Sequence, residues 1–223
     1  MFRITCLSLP VLWLLLALTP STSSGALYRK TDGTSAQLLC ANTVNPGCSS
    51  AGLPHPYSSP VVLEPGDDLS SASLISADFS EADFEGSILQ STDFSSANLT
   101  DASFRNAGLF EAIMDNAVLT RAVLSGANLA GVRFGSGNDL TAIEAVGLVA
   151  CPEALPSTID CINNNLVGPG LVLRNTNFDS LNFTGRNLFQ TVLTNASLIG
   201  TTLTSANLDQ ADLSNADLTG ADL

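Results

Sequence analysis

From Leu69 to Phe134, and again from Leu173 to Leu223, every fifth residue is Leu, Phe or Met, at 14 positions in the first block and 11 in the second. The residue two places earlier is Ala in 15 of these 25 cases, as in Ala77-Asp78-Phe79, Ala97-Asn98-Leu99 and Ala211-Asp212-Leu213. A step of five matches neither the helix period of 3.6 nor the strand period of 2.0. On an α-helix it would advance about 140° per repeat and smear the apolar groups around the surface. Gly, Ser, Asn or Asp in nearly every repeat also disfavours long helices. The pattern predicts a chain that turns a corner every five residues and returns the same two positions inward. Large and small inward residues then alternate, which fills a narrow interior without voids. Repetition at a fixed period marks a solenoid.

The motif Ala-(Asp/Asn)-(Leu/Phe)-x-x, in 25 tandem copies over more than half of the chain, resembles the pentapeptide-repeat family. The resemblance implies an all-β fold, a right-handed quadrilateral parallel β-helix with roughly four repeats per coil. With about 4.8 Å between neighbouring strands, the repeats would build a rod roughly 30 Å tall. Residues twenty apart should stack on a four-sided coil. Phe84 would then lie over Phe104 and Leu124, and one face would carry Leu74, Phe94, Met114 and Phe134. These apolar ladders would be the main stabilising core. The Asp or Asn ahead of each central residue should face out and bond nearby backbone at the corners.

The pattern breaks at two places and divides the chain. Residues 1–26 read as a signal peptide, 27–66 as a Pro-rich N-terminal cap or linker, 67–136 as repeat block 1, 137–170 as an irregular connector and 171–223 as repeat block 2. The cap segment holds five of the ten prolines and would cover the strand edges of the first coil. From Phe134 to Leu173 is 39 residues, one short of a whole number of repeats, so the register resets across the connector. A short helix around Leu140 to Val146 and a Cys151/Cys161 staple are expected there, in a loop that joins the two coil blocks and can hold one or more irregular coils of its own. The run from Leu155-Pro156 through Cys161-Ile162-Asn163-Asn164 to Gly168-Pro169-Gly170 resembles an interruption between repeat blocks in some family members. Leu171, Leu181 and Arg186 occupy inward positions usually held by Ala, so the first coil of block 2 should be wide or distorted. Arg186 should bend out to solvent.

Composition bears on compartment and partners. Eight Lys+Arg against 21 Asp+Glu give a formal net charge of −13, which disfavours nucleic acid and anionic lipid and favours a basic partner. Arg3, the apolar stretch Leu7 to Leu18 and Ser24-Gly25-Ala26 read as a cleaved secretory leader, too short for a comfortable membrane span. The mature chain is therefore expected to be secreted or extracytoplasmic, or to lie in the thylakoid lumen if the source is photosynthetic. Cleavage leaves Cys40, Cys48, Cys151 and Cys161 as disulfide candidates. Four thiols allow three pairings, of which the local one closes two short loops outside the repeats. A zinc site would lack both C-x2-C spacing and ligand histidines.

No catalytic constellation, cofactor site or metal site can be assembled from these residues. His55, the sole imidazole, stands between two prolines. Carboxylates such as Asp78 and Asp83 recur only because the repeat recurs, and the turn signature of a calcium loop is missing. Three sequons, at Asn98, Asn182 and Asn195, are glycosylation candidates. The outward Asp/Asn position is apolar at Ile88, Ile113, Val118 and Val123, and Phe110 fills another outward slot. These five residues are candidates for a partner surface on adjoining faces, with strand propensity the competing explanation. The chain stops at Leu223 in mid-repeat, and a protein partner, self-association through this uncapped coil, or further sequence would cover the end. The expected function is a non-enzymatic exported scaffold presenting an acidic rod to a protein partner. The alternatives are a DNA mimic that protects a topoisomerase, which the resemblance implies and the leader disfavours, and a secreted glycan- or metal-binding module.

Overall fold

The computed structural model describes residues 26–29, 35–38 and 68–223. The leader, Cys40, Cys48, His55 and most of the 27–66 segment lie outside the described residues. Across the boundary between the leader and that segment, β1 (Ala26–Arg29) pairs antiparallel with β2 (Ser35–Leu38), with Ala26 opposite Leu38.

From residue 68 onward the chain winds as a four-sided, right-handed β-helix, the hand favoured for parallel strand crossovers. Bridges join residues twenty apart in parallel. Side one carries Asp68, Ile88, Gly108 and Asn128; side two Ser73, Asp93, Ile113 and Arg133; side three Asp78, Asn98 and Val118; side four Asp83, Ser103 and Val123. In the first block the central residues and the small residues before them point inward and are buried, whereas Leu208, Leu213 and Leu218 of the last coil are half-buried and Leu223 is exposed. Phe84 stacks on Phe104 with ring centroids 4.8 Å apart and planes 4° apart, and Leu124 continues that row. Leu74, Phe94, Met114 and Phe134 are buried as well. Phe94 meets Phe84 and Phe104 edge-on at 5.6 and 5.8 Å, an arrangement aromatic rings favour over a face-to-face sandwich.

The repeat motif follows from hydrogen bonding at each corner. In the repeat centred on Leu99, the Leu99 and Asp101 amides donate to Val118 and Thr120 on the next coil. Ser103 donates to Ala82 on the previous coil, and the Ala102 amide closes the turn onto Leu99. The first turn residue, Thr100, has no backbone acceptor. The side chain of Asn98 supplies one, with Thr100 N 3.2 Å from Asn98 Oδ1. A buried or half-buried amide needs such a partner, which is why the motif specifies Asp or Asn at this point. The second turn residue takes positive φ, 60° at Asp101, the signature of a type II turn. Ser76, Glu81, Asn106 and Arg121 hold the same strained corner without glycine.

Part of the connector is itself coiled. Residues 137–154 add a complete irregular coil, bridging Val118 to Asp139, Val123 to Glu144, Asn128 to Ala150 and Arg133 to Ala154. The offsets run 21, 21, 22 and 21, so one extra residue enters before Asp139, a second between Glu144 and Ala150, and the register falls back by one at Ala154. Leu140, Ile143, Ala145 and Leu148 continue the buried interior. No helix forms over Leu140 to Val146, correcting the expectation. Ile143 faces inward and Glu144 joins the ladder, while Ala142 turns the corner at φ 55°. A helix would break all three roles.

Beyond that coil the chain makes a hairpin, β3 (Asp160–Ile162) and β4 (Asn165–Val167), with Asn163 and Asn164 both at positive φ in the two-residue loop. This is the conformation a type I′ turn demands and that Asn tolerates. Cys151 and Cys161 meet across this region with Cα atoms 6.1 Å apart. The hairpin passes so close to Gly168 that a Cβ there would lie 2.8 Å from the Thr158 carbonyl oxygen. Pro169-Gly170 then makes the first corner of block 2, with Gly170 at φ 71°.

The ladder resumes with Glu144 bridging Val172, 28 residues on, and returns to steps of twenty from Val172 to Val192 and Asp212. The buried interior divides here. Leu166 and Leu171 belong to the first core, whereas Val167, Leu173, Phe178 and Phe183 belong to a second. Leu171 is buried, Leu181 is half-buried, and Arg186 bends out as expected, pairing with Asp160 of the hairpin.

Candidate functional site

With the interior filled by side chains, the chemistry open to a second molecule lies on the outer rows and corners. The rows are dominated by corner caps. Asp78, Asp83, Asp93, Asn128, Asp139, Asp212 and Asp217 each accept the amide two residues ahead. Capping holds several of these carboxyls below the ordinary range. The Thr141 side chain and amide, with the Thr120 hydroxyl, lower Asp139. Hydrogen bonds from Ser214 and Thr194 lower Asp212, and those from Thr219 lower Asp217. Asp139, Asp212 and Asp217 are thereby favoured in their charged, capping form.

Cations are mostly neutralised along the ladders. Arg121 meets Asp101 in a two-pronged pair, with Nε 2.7 Å from Oδ1, and this lowers Asp101 and raises Arg121. Arg105 pairs with Glu144 at 3.2 Å, and Arg133 pairs with Glu153 at 2.5 Å. Such exposed pairs add little stability. Their consequence is to leave aspartates as the prevailing free charge.

The five apolar candidates are distributed over all four sides. Ile88 is on side one, Ile113 on side two, Val118 on side three and Val123 on side four, while Phe110 is at the corner between sides one and two. Ile88, Phe110, Ile113 and Val118 are exposed, whereas Val123 is half-buried. Only Ile88, Phe110 and Ile113 gather around one corner. None of the four aliphatic side chains can cap the amides of Gln90, Asp115, Thr120 and Ser125. The sequence reading missed three further exposed residues, Ile75, Val149 and Ile199. Ile75 and Ile199 follow a central Leu directly, which marks them as corner positions.

The remaining candidates fall in different places. Asn98 is half-buried, with its amide nitrogen donated to Asp78 at 3.0 Å. Asn182 is exposed, with only its oxygen engaged, by the Thr184 amide. Asn195 is exposed at a corner and donates to Asn175 at 3.3 Å. Two open grooves flank the hairpin, one bordered by Asn138, Asp139 and Pro156, the other by Asn163, Arg174 and Asn177. Among the described residues no His/Cys/Asp/Glu group is arranged to hold a metal ion, and no helix is long and apolar enough to cross a membrane.

The pentapeptide-repeats family model matches residues 68–106, 102–136 and 187–223, in eight copies. No curated protein sequence matches the chain. Among solved structures, a pentapeptide repeat protein from the Arabidopsis thaliana thylakoid lumen is 25% identical, covering 66% of this chain and 69% of its own, with a TM-score of 0.27. HetL, a pentapeptide repeat protein involved in heterocyst differentiation regulation from the cyanobacterium Nostoc sp. strain PCC 7120, is 21% identical, covering 70% and 86%, with a TM-score of 0.26. Full-length QnrB1, a plasmid-mediated fluoroquinolone resistance protein, is 15% identical, covering 70% and 72%, with a TM-score of 0.23. The matched repeats are the same coils in which Asp or Asn caps many of the type II corners and Leu, Phe or Met fills the interior. The repeats at residues 68–136 and 187–223 are pentapeptide repeats of that family.

Proposed function

We propose that this chain is a non-enzymatic, exported scaffold that presents an acidic β-helical rod to a partner protein. The observation that carries this reading is the division of labour within each repeat. Two residues fill the interior, one caps the corner, and the others form outward rows whose free charge is mostly carboxylate. Rigid, regularly spaced charge suits recognition of a basic surface, speeding encounter and setting register. Export follows from the leader. In an oxidising compartment the Cys151/Cys161 pair would form a disulfide that fixes the hairpin between the two cores. Cys40 and Cys48 would pair likewise, and Asn182 is the sequon with the freest side-chain nitrogen. The acidic rod also suits a DNA mimic, which finding the mature chain in the cytosol or nucleus would favour. Affinity capture from the native extracytoplasmic compartment, with intact-mass analysis of the bait, tests the proposal. A stoichiometric protein partner and a bait lacking the leader are expected. A mature chain that retains residues 1–26, or that recovers no partner, contradicts it.

A further inference from the structure

We infer that the corner between sides one and two, formed by Ile88, Phe110 and Ile113 around Gly108, docks a cationic amphipathic segment of a partner protein. The inference rests on the scaffold reading and narrows it to one corner.

Ile88, Phe110 and Ile113 are 47%, 38% and 44% exposed, although the interior beside them is completely filled by Leu89, Leu109 and Met114. They are therefore not displaced core residues. Gly108 is the ladder neighbour of Ile88, and a Cβ built there would meet only the Ser87 carbonyl oxygen, at 3.8 Å. The missing side chain leaves a notch beneath Ile88, bounded along the strand by Phe110 at the turn. Large apolar groups exposed together around a recess mark an interaction site rather than scattered surface residues. Ile88 in place of a capping Asp or Asn also leaves the Gln90 amide, at this same corner one coil earlier, without the side-chain acceptor that capped repeats such as those of Asp93 and Asn98 supply. That corner thus gives up a hydrogen bond while exposing apolar surface, and a bound segment offering a carbonyl oxygen would restore it.

The surrounding charge selects the occupant. Asp93 is the ladder neighbour of Ile113 on one coil, Glu111 follows Phe110, and Asp115 is two residues beyond Ile113. The one cation on the ladder beside Ile113 is Arg133, already paired with Glu153. An apolar recess ringed by carboxylates fits a segment carrying Leu, Ile or Phe with Lys or Arg on its flanks. A second copy of this chain, itself at −13, would bring like charge to the same rim.

The test separates the notch from the general acidity of the rod. A fluorescent Leu/Lys amphipathic peptide and its Leu/Glu counterpart are titrated by anisotropy into the wild-type chain, into Ile88→Asn/Phe110→Ser/Ile113→Asn, and into Val118→Asn. The Asn substitutions restore a corner cap, so the fold should be retained, and a denaturation curve confirms it. Expected are salt-sensitive binding of the Leu/Lys peptide, a loss of about tenfold or more in the triple variant, near-wild-type affinity in Val118→Asn and no binding of the Leu/Glu peptide. Equal affinity in wild type and triple variant overturns the inference, as does an equal loss in Val118→Asn. Dimerisation of the wild type that the triple variant lacks also overturns it, because a second copy is then the occupant. In the capture experiment above, an empty wild-type bait rejects the scaffold reading itself. Equal recovery of one partner on wild type and triple variant leaves that reading intact and rejects only this corner.

Discussion

Asp93 Oδ1 accepts the backbone N–H of Ser95 at 2.9 Å, closing the one amide of its repeat that the ladder leaves unpaired. This geometry makes the polar residue of the motif a cap rather than a solubilising ornament. Asp93→Ala should cost about 1 kcal/mol, by analogy with removal of a helix N-cap acceptor, whereas Asp93→Asn should be near neutral because the amide oxygen caps equally well. Ile113→Asn should be neutral to stabilising for the same reason. Chemical denaturation of the three variants checks this, and equal losses for Asp93→Ala and Asp93→Asn would mean that charge, not capping, is at work.

Phe104 touches Phe84 face-on and Phe94 edge-on inside the tube. Phe104→Ala should destabilise by about 3–5 kcal/mol, because a tube of fixed side length cannot collapse around the void. Phe104→Leu, matching the residue found at most central positions, should cost about 1.5 kcal/mol or less. Denaturant midpoints at unchanged slope would show the difference; similar losses for both would place the site outside a rigid core.

Two buried hydroxyls at the inward small position behave oppositely. Thr201 Oγ1 donates to the Phe178 carbonyl oxygen at 2.9 Å, whereas Ser87 Oγ is buried without a partner among the described residues. Ser87→Ala, which restores the commonest residue of the motif, should be neutral or stabilising by up to about 1 kcal/mol; Thr201→Ala should cost about 1–2 kcal/mol. A destabilised Ser87→Ala in thermal melts would show that its hydroxyl is engaged.

Acid should weaken the rod from its caps. Asp101, Asp139, Asp212 and Asp217 are held below the ordinary carboxylate value by hydrogen bonds or, at Asp101, by Arg121. A lowered folded value means that the stabilisation is complete above the unfolded value, about pH 4, and is lost as pH falls through the folded values. Melting temperature should hold between about pH 8 and 5 and fall below about pH 4. Asp139→Asn, Asp212→Asn and Asp217→Asn together keep the caps but remove the titration, so the acid slope should flatten. An unchanged slope would locate the acid sensitivity elsewhere.

The ladder was legible because one spacing encodes it. Steps of five place every fourth repeat in register, so Phe84 over Phe104 could be read before any coordinate. The outward bend of Arg186 was equally legible, since a guanidinium cannot share an inward slot. Its partner was not. Asp160 reaches it only because the hairpin folds back across 26 residues, and nothing local encodes that return. The course of the irregular coil was not legible for a related reason. Leu140, Ile143 and Leu148 keep the inward role but lose the spacing of five, so their periodicity resembles a short helix until the ladder pins Glu144 to Val123 and Val172. The corner around Gly108 was half-visible. Sequence flagged its apolar residues, but only the folding of sides one and two separates them from Val118 and Val123.

Nuclear Overhauser contacts between backbone and ring protons on neighbouring coils would test the four-sided stacking most directly. Cross-peaks should link Phe84 with Phe104 and Leu99 with Val118, then shift by one residue from Val118 to Asp139 and by two from Asn128 to Ala150. Contacts confined to residues three and four apart, with none at twenty, would contradict a coil with four sides.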